Sequence, residues 1–215
     1  MMADLVPDVV VVRESDDPAT WMPSGWPEEQ AAVAKSVERR RLEHGMVRAL
    51  ARDAMAELGV SPAPVLSGDK REPRWPPGVV GSLTHCRGYC AAAVALGSEV
   101  LGVGIDAEPD EPLRTSLVGR LCHPAEIERL DWFHPDPEMR GKALFCVKEA
   151  IYKVWYPVTG RWLGFLDVDV TSAPSGGFDA AVLVEAPDEL STISGRFERA
   201  DGFVRAAATA LARQP

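Results

Sequence analysis

Nothing in this chain approaches the roughly 18 consecutive apolar residues that a membrane-spanning helix requires. Its first residues, Met1-Met2-Ala3-Asp4-Leu5, lack the basic region of a secretory signal. Both absences predict a cytoplasmic protein. Cysteine is scarce: Cys86, Cys90, Cys122 and Cys146 are the whole complement. A chain of 215 residues can bury a core without disulfides, so these thiols are expected to be reduced. Cys86 and Cys90 beside His85 lack a second close Cys/His pair, which argues against zinc. There is no basic excess either: 23 Lys and Arg face 32 Asp and Glu, a net charge of −9. That excludes broad nucleic-acid binding. Also missing are G-x-x-x-x-G-K-[ST], G-x-G-x-x-G after a strand, and G-x-S-x-G. What is present is ordinary for a globular protein, 46% hydrophobic and 26% charged. The length predicts one large domain or two small ones.

The charge is unevenly placed. Residues 35–74 hold nine basic and six acidic side chains, a local +3, against fourteen and twenty-six elsewhere, −12. A basic helix of this kind is either a solvated face or a site for a small polyanion. Along the chain, Val9–Val12 reads as a short strand. Pro27-Glu28-Glu29 opens a helical stretch to about Leu58, with Gly59 as its stop. Residues 60–77 are Pro-rich and predict an extended loop. Val79–Leu83 and Cys90–Leu96 read as strands. Val100–Glu108 alternates and ends at Pro109. Short helical pieces are expected around 113–121 and 124–131, then a helix from about 138 to 155 stopped by Pro157. Late strands are expected at 165–170, 179–184 and 203–210. Each half thus carries one long helix and several strands, with no clean sequence repeat.

Two segments carry chemistry. In Gly102-Val103-Gly104-Ile105-Asp106-Ala107-Glu108, period 2 aims Asp106 and Glu108 to one side, with glycines that would let a ligand approach the backbone. Two close carboxylates repel unless a cation lies between them, and hard oxygen ligands suit Mg²⁺. The alternative is an edge strand with two solvated acids. In Phe145-Cys146-Val147-Lys148-Glu149-Ala150-Ile151-Tyr152-Lys153, Glu149 and Lys153 share a face by i,i+4 spacing. The pair is either a surface ion pair or, on so apolar a helix, the wall of a cleft. Gly81-Ser82-Leu83-Thr84-His85 adds a hydroxyl and an imidazole at a strand end.

In this order the pieces resemble the 4′-phosphopantetheinyl transferases of the Sfp/EntD type, nearest to the actinobacterial (mycobacterial PptT-like) branch. The resemblance rests on residues 68–76, 81–86, 102–109 and 145–155, continuing to Arg161-Trp162-Leu163-Gly164-Phe165. It implies an α+β fold built as a pseudo-dimer of two similar α+β halves, here 1–99 and 100–215. Coenzyme A and Mg²⁺, or Mn²⁺ in its place, would bind between the halves. The reaction implied moves the phosphopantetheine arm of CoA to a serine of an apo acyl or peptidyl carrier protein and releases 3′,5′-ADP. Such enzymes serve fatty-acid, polyketide, nonribosomal-peptide and siderophore synthesis. Carried over by position, Asp106, Glu108 and Glu149 are the metal ligands. Arg40, Arg48, Lys70, Arg71, Thr84, His85, Asp106 and Lys153 form the CoA site, and Glu149 and Lys153 are catalytic. The loop departs from the family pattern at Ser67, where relatives can carry a basic residue, and at Arg71-Glu72-Pro73, where Gly-Lys-Pro is common.

The basic segment then has a polyanion to hold, since CoA carries a pyrophosphate and a 3′-phosphate. Lys153 and the metal would stabilise charge in phosphoryl transfer, and Glu149 would take the serine proton, directly or through metal-bound water. The rival reading is a Mg²⁺-dependent phosphodiesterase or pyrophosphatase acting on CoA or a nucleotide. Carrier docking is expected on Leu113, Leu117 and Leu121, one helical face flanked by Arg114 and Arg120, unless those leucines are core. Two halves in one chain make a monomer sufficient.

Overall fold

A computed structural model of the chain describes residues 1–212. The small-residue run at 89–96 is the key to its layering. As strand β5 (Tyr89–Leu96) it is buried on both faces, which is why it shows no alternation. One face, Cys90, Ala92 and Val94, packs on Val47, Leu50 and Ala54 of helix α2 (Glu38–Glu57). The other, Tyr89, Ala91, Ala93 and Ala95, meets Val103, Ile105 and Ala107 of β6 (Val100–Pro109). A third cluster joins α5 (Pro137–Thr159), through Val147, Ile151 and Val154, to Val204, Ala206 and Ala208 of β10 (Phe203–Leu211). The order through the molecule is therefore helix, sheet, sheet, helix.

The first sheet, β1-β5-β4, uses β1 (Val11–Ser15) and β4 (Val79–Cys86). The second, β6-β10-β9-β8-β7, adds β7 (Val168–Ser172), β8 (Gly177–Val182) and β9 (Thr192–Ala200). Both are antiparallel. A small ribbon pairs β2 (Leu66–Ser67) with β3 (Pro73–Arg74), and α1 (Pro27–Ala32), α3 (Thr115–Leu121) and α4 (Pro124–Arg129) are short. This is the expected α+β class, each half a long helix on an antiparallel sheet.

Three local readings change. The stretch 27–58 is two helices, not one, broken at 33–37. Glu29 on α1 is fully buried, where it accepts from Arg52 Nη1 at 2.8 Å, from the Val65 amide at 2.7 Å and from the Ser24 hydroxyl. That anchorage holds α1 off the axis of α2. Helix α5 runs through Pro157 and ends at Gly160, which takes the left-handed conformation (φ 65°). A proline in the last turn removes only one intrahelical bond and does not stop the helix. Strand β9, with Ile193 and Phe197 as its buried hydrophobics, carries too few apolar residues to be anticipated.

The halves repeat one device that the sequence hides. Glu126 on α4, at the N3 position after Pro124, is buried like Glu29, two residues after Pro27. It accepts from Lys148 Nζ of α5 at 2.7 Å and from the Val170 amide at 2.8 Å. Each half is thus tied together by a buried carboxylate on its short helix and a cation on its long one. Between the halves, β4 and β6 form no backbone ladder. Instead Ser82 Oγ accepts from the Ile105 amide at 3.0 Å and Thr84 Oγ1 from the Ala107 amide at 3.1 Å. These hydroxyls satisfy donors that would otherwise be buried and unpaired.

Candidate active site

The cleft between the halves has a volume of about 560 Å³. Its basic wall comes from Arg40 and Arg48 of α2, Lys70 and Arg71 of the β2–β3 turn, and Lys153 of α5, with His85 and Glu149 also exposed to it. Seven of the expected site residues therefore face one space. Thr84, Asp106 and Glu108 do not line it.

Asp106 lies beneath the floor, almost wholly buried. Its Oδ1 accepts from Lys153 Nζ at 2.8 Å and from Thr84 Oγ1 at 3.2 Å. Its Oδ2 is buried with no partner, a costly state for a carboxylate oxygen. Lys153 also donates to the Ile105 carbonyl at 2.9 Å. Thr84 thus bonds both β6 and Asp106 from a buried position beneath the cleft. The glycines of β6 differ from expectation. A Cβ on Gly104 would lie 1.9 Å from the Ala150 carbonyl oxygen. The room beside the carboxylates admits α5, not a ligand.

Helix α5 runs antiparallel along β6, and its stripe Lys142, Cys146, Glu149, Lys153 faces the carboxylates. Lys153 takes Asp106, and Lys142 Nζ takes Glu108 Oε2 at 3.0 Å. Glu149 lies between the lysines in the chain, with no ion pair or hydrogen bond among the described residues. Its carboxyl is held above the usual carboxylate range, by burial first and then by the charge of Asp106. Lys153 opposes that rise and Glu108 adds to it. Among the described residues no three His, Cys, Asp or Glu side chains stand together as a formed metal cage. The donor set nevertheless fits a hard divalent cation. An unpartnered Asp106 oxygen and a charge-disfavoured Glu149 would both be relieved by one.

The phosphate side is equally specific. Arg40 donates to His85 Nε2, so the ring proton sits on Nδ1, 3.4 Å from the buried Glu43 carboxylate. Burial, then Arg40 and Lys153, lowers the His85 pKa to about 3, so the ring is neutral. Arg48 is a cation whose pKa burial lowers to about 10. It donates to the Val65 carbonyl at 2.7 Å, the His44 carbonyl at 3.3 Å and Ser67 Oγ at 3.0 Å. Ser67 therefore accepts a hydrogen bond from the arginine behind it. Lys70 and Arg71 are exposed at the turn, Arg71 with φ 69°.

Several residues escaped the sequence reading. Lys148 is buried and donates to Glu126, to the Phe165 carbonyl at 2.8 Å and to the Leu121 and Val168 carbonyls at 3.2 Å. It is a strut, adjacent in the chain to Glu149. Tyr152 stacks on Tyr156 and meets Trp162, forming an aromatic row at the cleft rim. Lys142 carried one available signal, its position two helical turns before Glu149. On the proposed docking face, Leu113 precedes α3 and is buried beside Gly141. Leu121 packs on the core, while Leu117 is half-buried and Arg114 and Arg120 are exposed. The three leucines are therefore not one free face.

Comparison with known proteins finds matches in both halves of the chain. Residues 28–95 match the profile of the 4′-phosphopantetheinyl transferase N-terminal domain, and residues 102–207 that of the 4′-phosphopantetheinyl transferase superfamily. The chain is 43% identical over 187 residues to 4′-phosphopantetheinyl transferase PptT of Mycobacterium tuberculosis, covering 83% of this chain and 82% of that protein. It is 39% identical over 212 residues to 4′-phosphopantetheinyl transferase Svp of Streptomyces mobaraensis, covering 94% and 82%. It is 32% identical over 149 residues to enterobactin synthase component D of Escherichia coli K12, covering 68% and 69%. Matches over both halves show that the chain belongs to the Sfp-type 4′-phosphopantetheinyl transferases, enzymes that transfer the phosphopantetheine of CoA to carrier proteins.

Proposed function

We propose that the two halves, 1–99 and 100–215, the last three residues lying outside the described ones, hold CoA in this cleft. Lys70, Arg71 and Arg40 bind its phosphates there, with His85 beside them and Arg48 behind. Asp106, Glu108 and Glu149 would hold Mg²⁺ or Mn²⁺, which when bound supplies charge for the phosphates. Lys153, fixed by Asp106 and the Ile105 carbonyl, meets the pyrophosphate and stabilises the negative charge that builds as 3′,5′-ADP leaves. Thr84 acts through Asp106, holding its Oδ1. Glu149 takes the proton of the carrier serine. Of the three carboxylates proposed to hold the metal, Glu149 alone lines the cleft where the serine must arrive. The observation that carries this reading is the pairing of Lys153 with Asp106 at a cleft that Arg40, Arg48, Lys70 and Arg71 also line.

The acyl or peptidyl carrier would approach along α3, which packs on α5, meeting Arg114, Leu117 and Arg120. Both walls of the cleft come from one chain, which supports action as a monomer. Four unpaired cysteines support a cytoplasmic setting, and no helix among the described residues is long and apolar enough to cross a membrane. The test is to incubate the protein with CoA, Mg²⁺ and several apo carrier proteins and to measure carrier mass. Addition of one phosphopantetheine per carrier supports the reading. Free phosphopantetheine with unmodified carriers would instead identify a phosphodiesterase.

A further inference from the structure

Lys142 belongs to none of the expected motifs and does not line the cleft. It is 9% exposed, and a charged amine so placed needs a partner. Its one hydrogen-bond acceptor among the described residues is Glu108 Oε2, at 3.0 Å. The Phe145 ring, 5.9 Å away, adds a cation–π contact. Lys153 is built differently, because it keeps a backbone carbonyl as a second anchor besides Asp106.

We propose that Lys142 is an internal counter-cation for Glu108, holding that carboxylate until a divalent metal displaces it and thereby setting the metal affinity of the site. The inference rests on the proposed metal set of Asp106, Glu108 and Glu149. Glu108 lies two residues from Asp106 on one strand face, and both raise the cost of a charged Glu149. Without a cation the three would repel. Lys142 supplies one at the Glu108 end from the far side of the cluster. A metal bound through Oε2 displaces Lys142, and one bound through Oε1 would set two cations on a single carboxylate, so removing the ammonium should tighten metal binding rather than weaken it.

The test is a Mn²⁺ titration without CoA, read by the electron paramagnetic resonance of free Mn²⁺. Lys142→Met should bind Mn²⁺ about tenfold tighter than wild type, the low end for loss of a hydrogen bond to a charged group, and Lys142→Arg should restore the wild-type value. In a Glu108→Gln background, Lys142→Met should have no effect. Unchanged or weaker binding by Lys142→Met, or a tightening that persists in the Glu108→Gln background, overturns the proposal. Failure of wild type to bind Mn²⁺, or wild-type binding by Asp106→Asn, would strike the metal set itself. The wild-type chain gives a second test that does not depend on a variant folding. Limited acetylation followed by peptide mass spectrometry should label Lys142 faster with Mn²⁺ than without it, and equal rates refute the displacement.

Discussion

Replacing Gly104 by alanine tests the contact that brings the catalytic helix to the metal strand. The added Cβ would stand 1.9 Å from the Ala150 carbonyl oxygen and 3.0 Å from the Val154 amide nitrogen. Non-bonded heavy atoms rest at about 3.5 Å, so β6 and α5 must separate by more than ~1 Å, backbone against backbone. Overpacking of this kind costs about 1–3 kcal/mol, offset by ~0.4–1 kcal/mol from the stiffer unfolded chain. A net loss of ~2 kcal/mol corresponds to a fall of roughly 4–8 °C in melting temperature for a chain of this size. Gly102→Ala is the control. Its Cβ would meet the Val154 side chain at 3.2 Å, and a side chain can give way, so its melting temperature should move by less than half as much. Because Ala150 adjoins Glu149, the displaced helix also moves the proposed base, and a misplacement of ~1 Å can reduce turnover ~100-fold. Differential scanning fluorimetry and carrier-phosphopantetheinylation kinetics on both variants suffice. Equal melting of the two variants, or full turnover by Gly104→Ala, would refute the reasoning.

Lys148→Met strands the buried Glu126 charge and should cost about 3–5 kcal/mol in urea unfolding, while adding Glu126→Gln should recover much of it. In the metal-free protein the Glu149 carboxyl should titrate above the ordinary carboxylate range, because burial and then Asp106 disfavour its charge, and Mg²⁺ should lower that titration; NMR of the side-chain carboxyl with and without Mg²⁺ checks both, and the signal should be absent in Glu149→Gln. Asp106→Ala should remove transfer, since it unmoors Lys153, and near-normal turnover in Mg²⁺ would contradict its assignment. Lys70→Ala and Arg71→Ala should weaken CoA in a salt-dependent way without changing melting, whereas Arg48→Ala should also lower the melting temperature, because its guanidinium ties residues 65–67 to α2.

The alternation of 100–108 and the four-residue step from Glu149 to Lys153 were enough to place both chemical segments on their elements. They could not say which lysine meets which carboxylate. That depends on the antiparallel opposition of β6 and α5, a tertiary fact, and so nothing in the sequence marks Lys142 as the partner of Glu108. The glycines of β6 were misread for the same reason: an open face on a strand invites a ligand or a helix equally. The resemblance between Trp26-Pro27-Glu28-Glu29 and His123-Pro124-Ala125-Glu126 is too short to register as a repeat. It becomes visible only when both glutamates are found buried against the long helices.

A helix lying on a sheet can roll about its own axis at little cost in apolar contact, because one apolar stripe blurs into the next. Lys148 removes that freedom from α5. Four oxygens, from Glu126 and three backbone carbonyls, grip one ammonium and set the rotational phase of the helix. Glu149 follows one residue later, about 100° further round, so its bearing toward the cleft is fixed from inside the molecule. The cleft surface can then vary, as Ser67 and Arg71 illustrate, without turning the base away from its target.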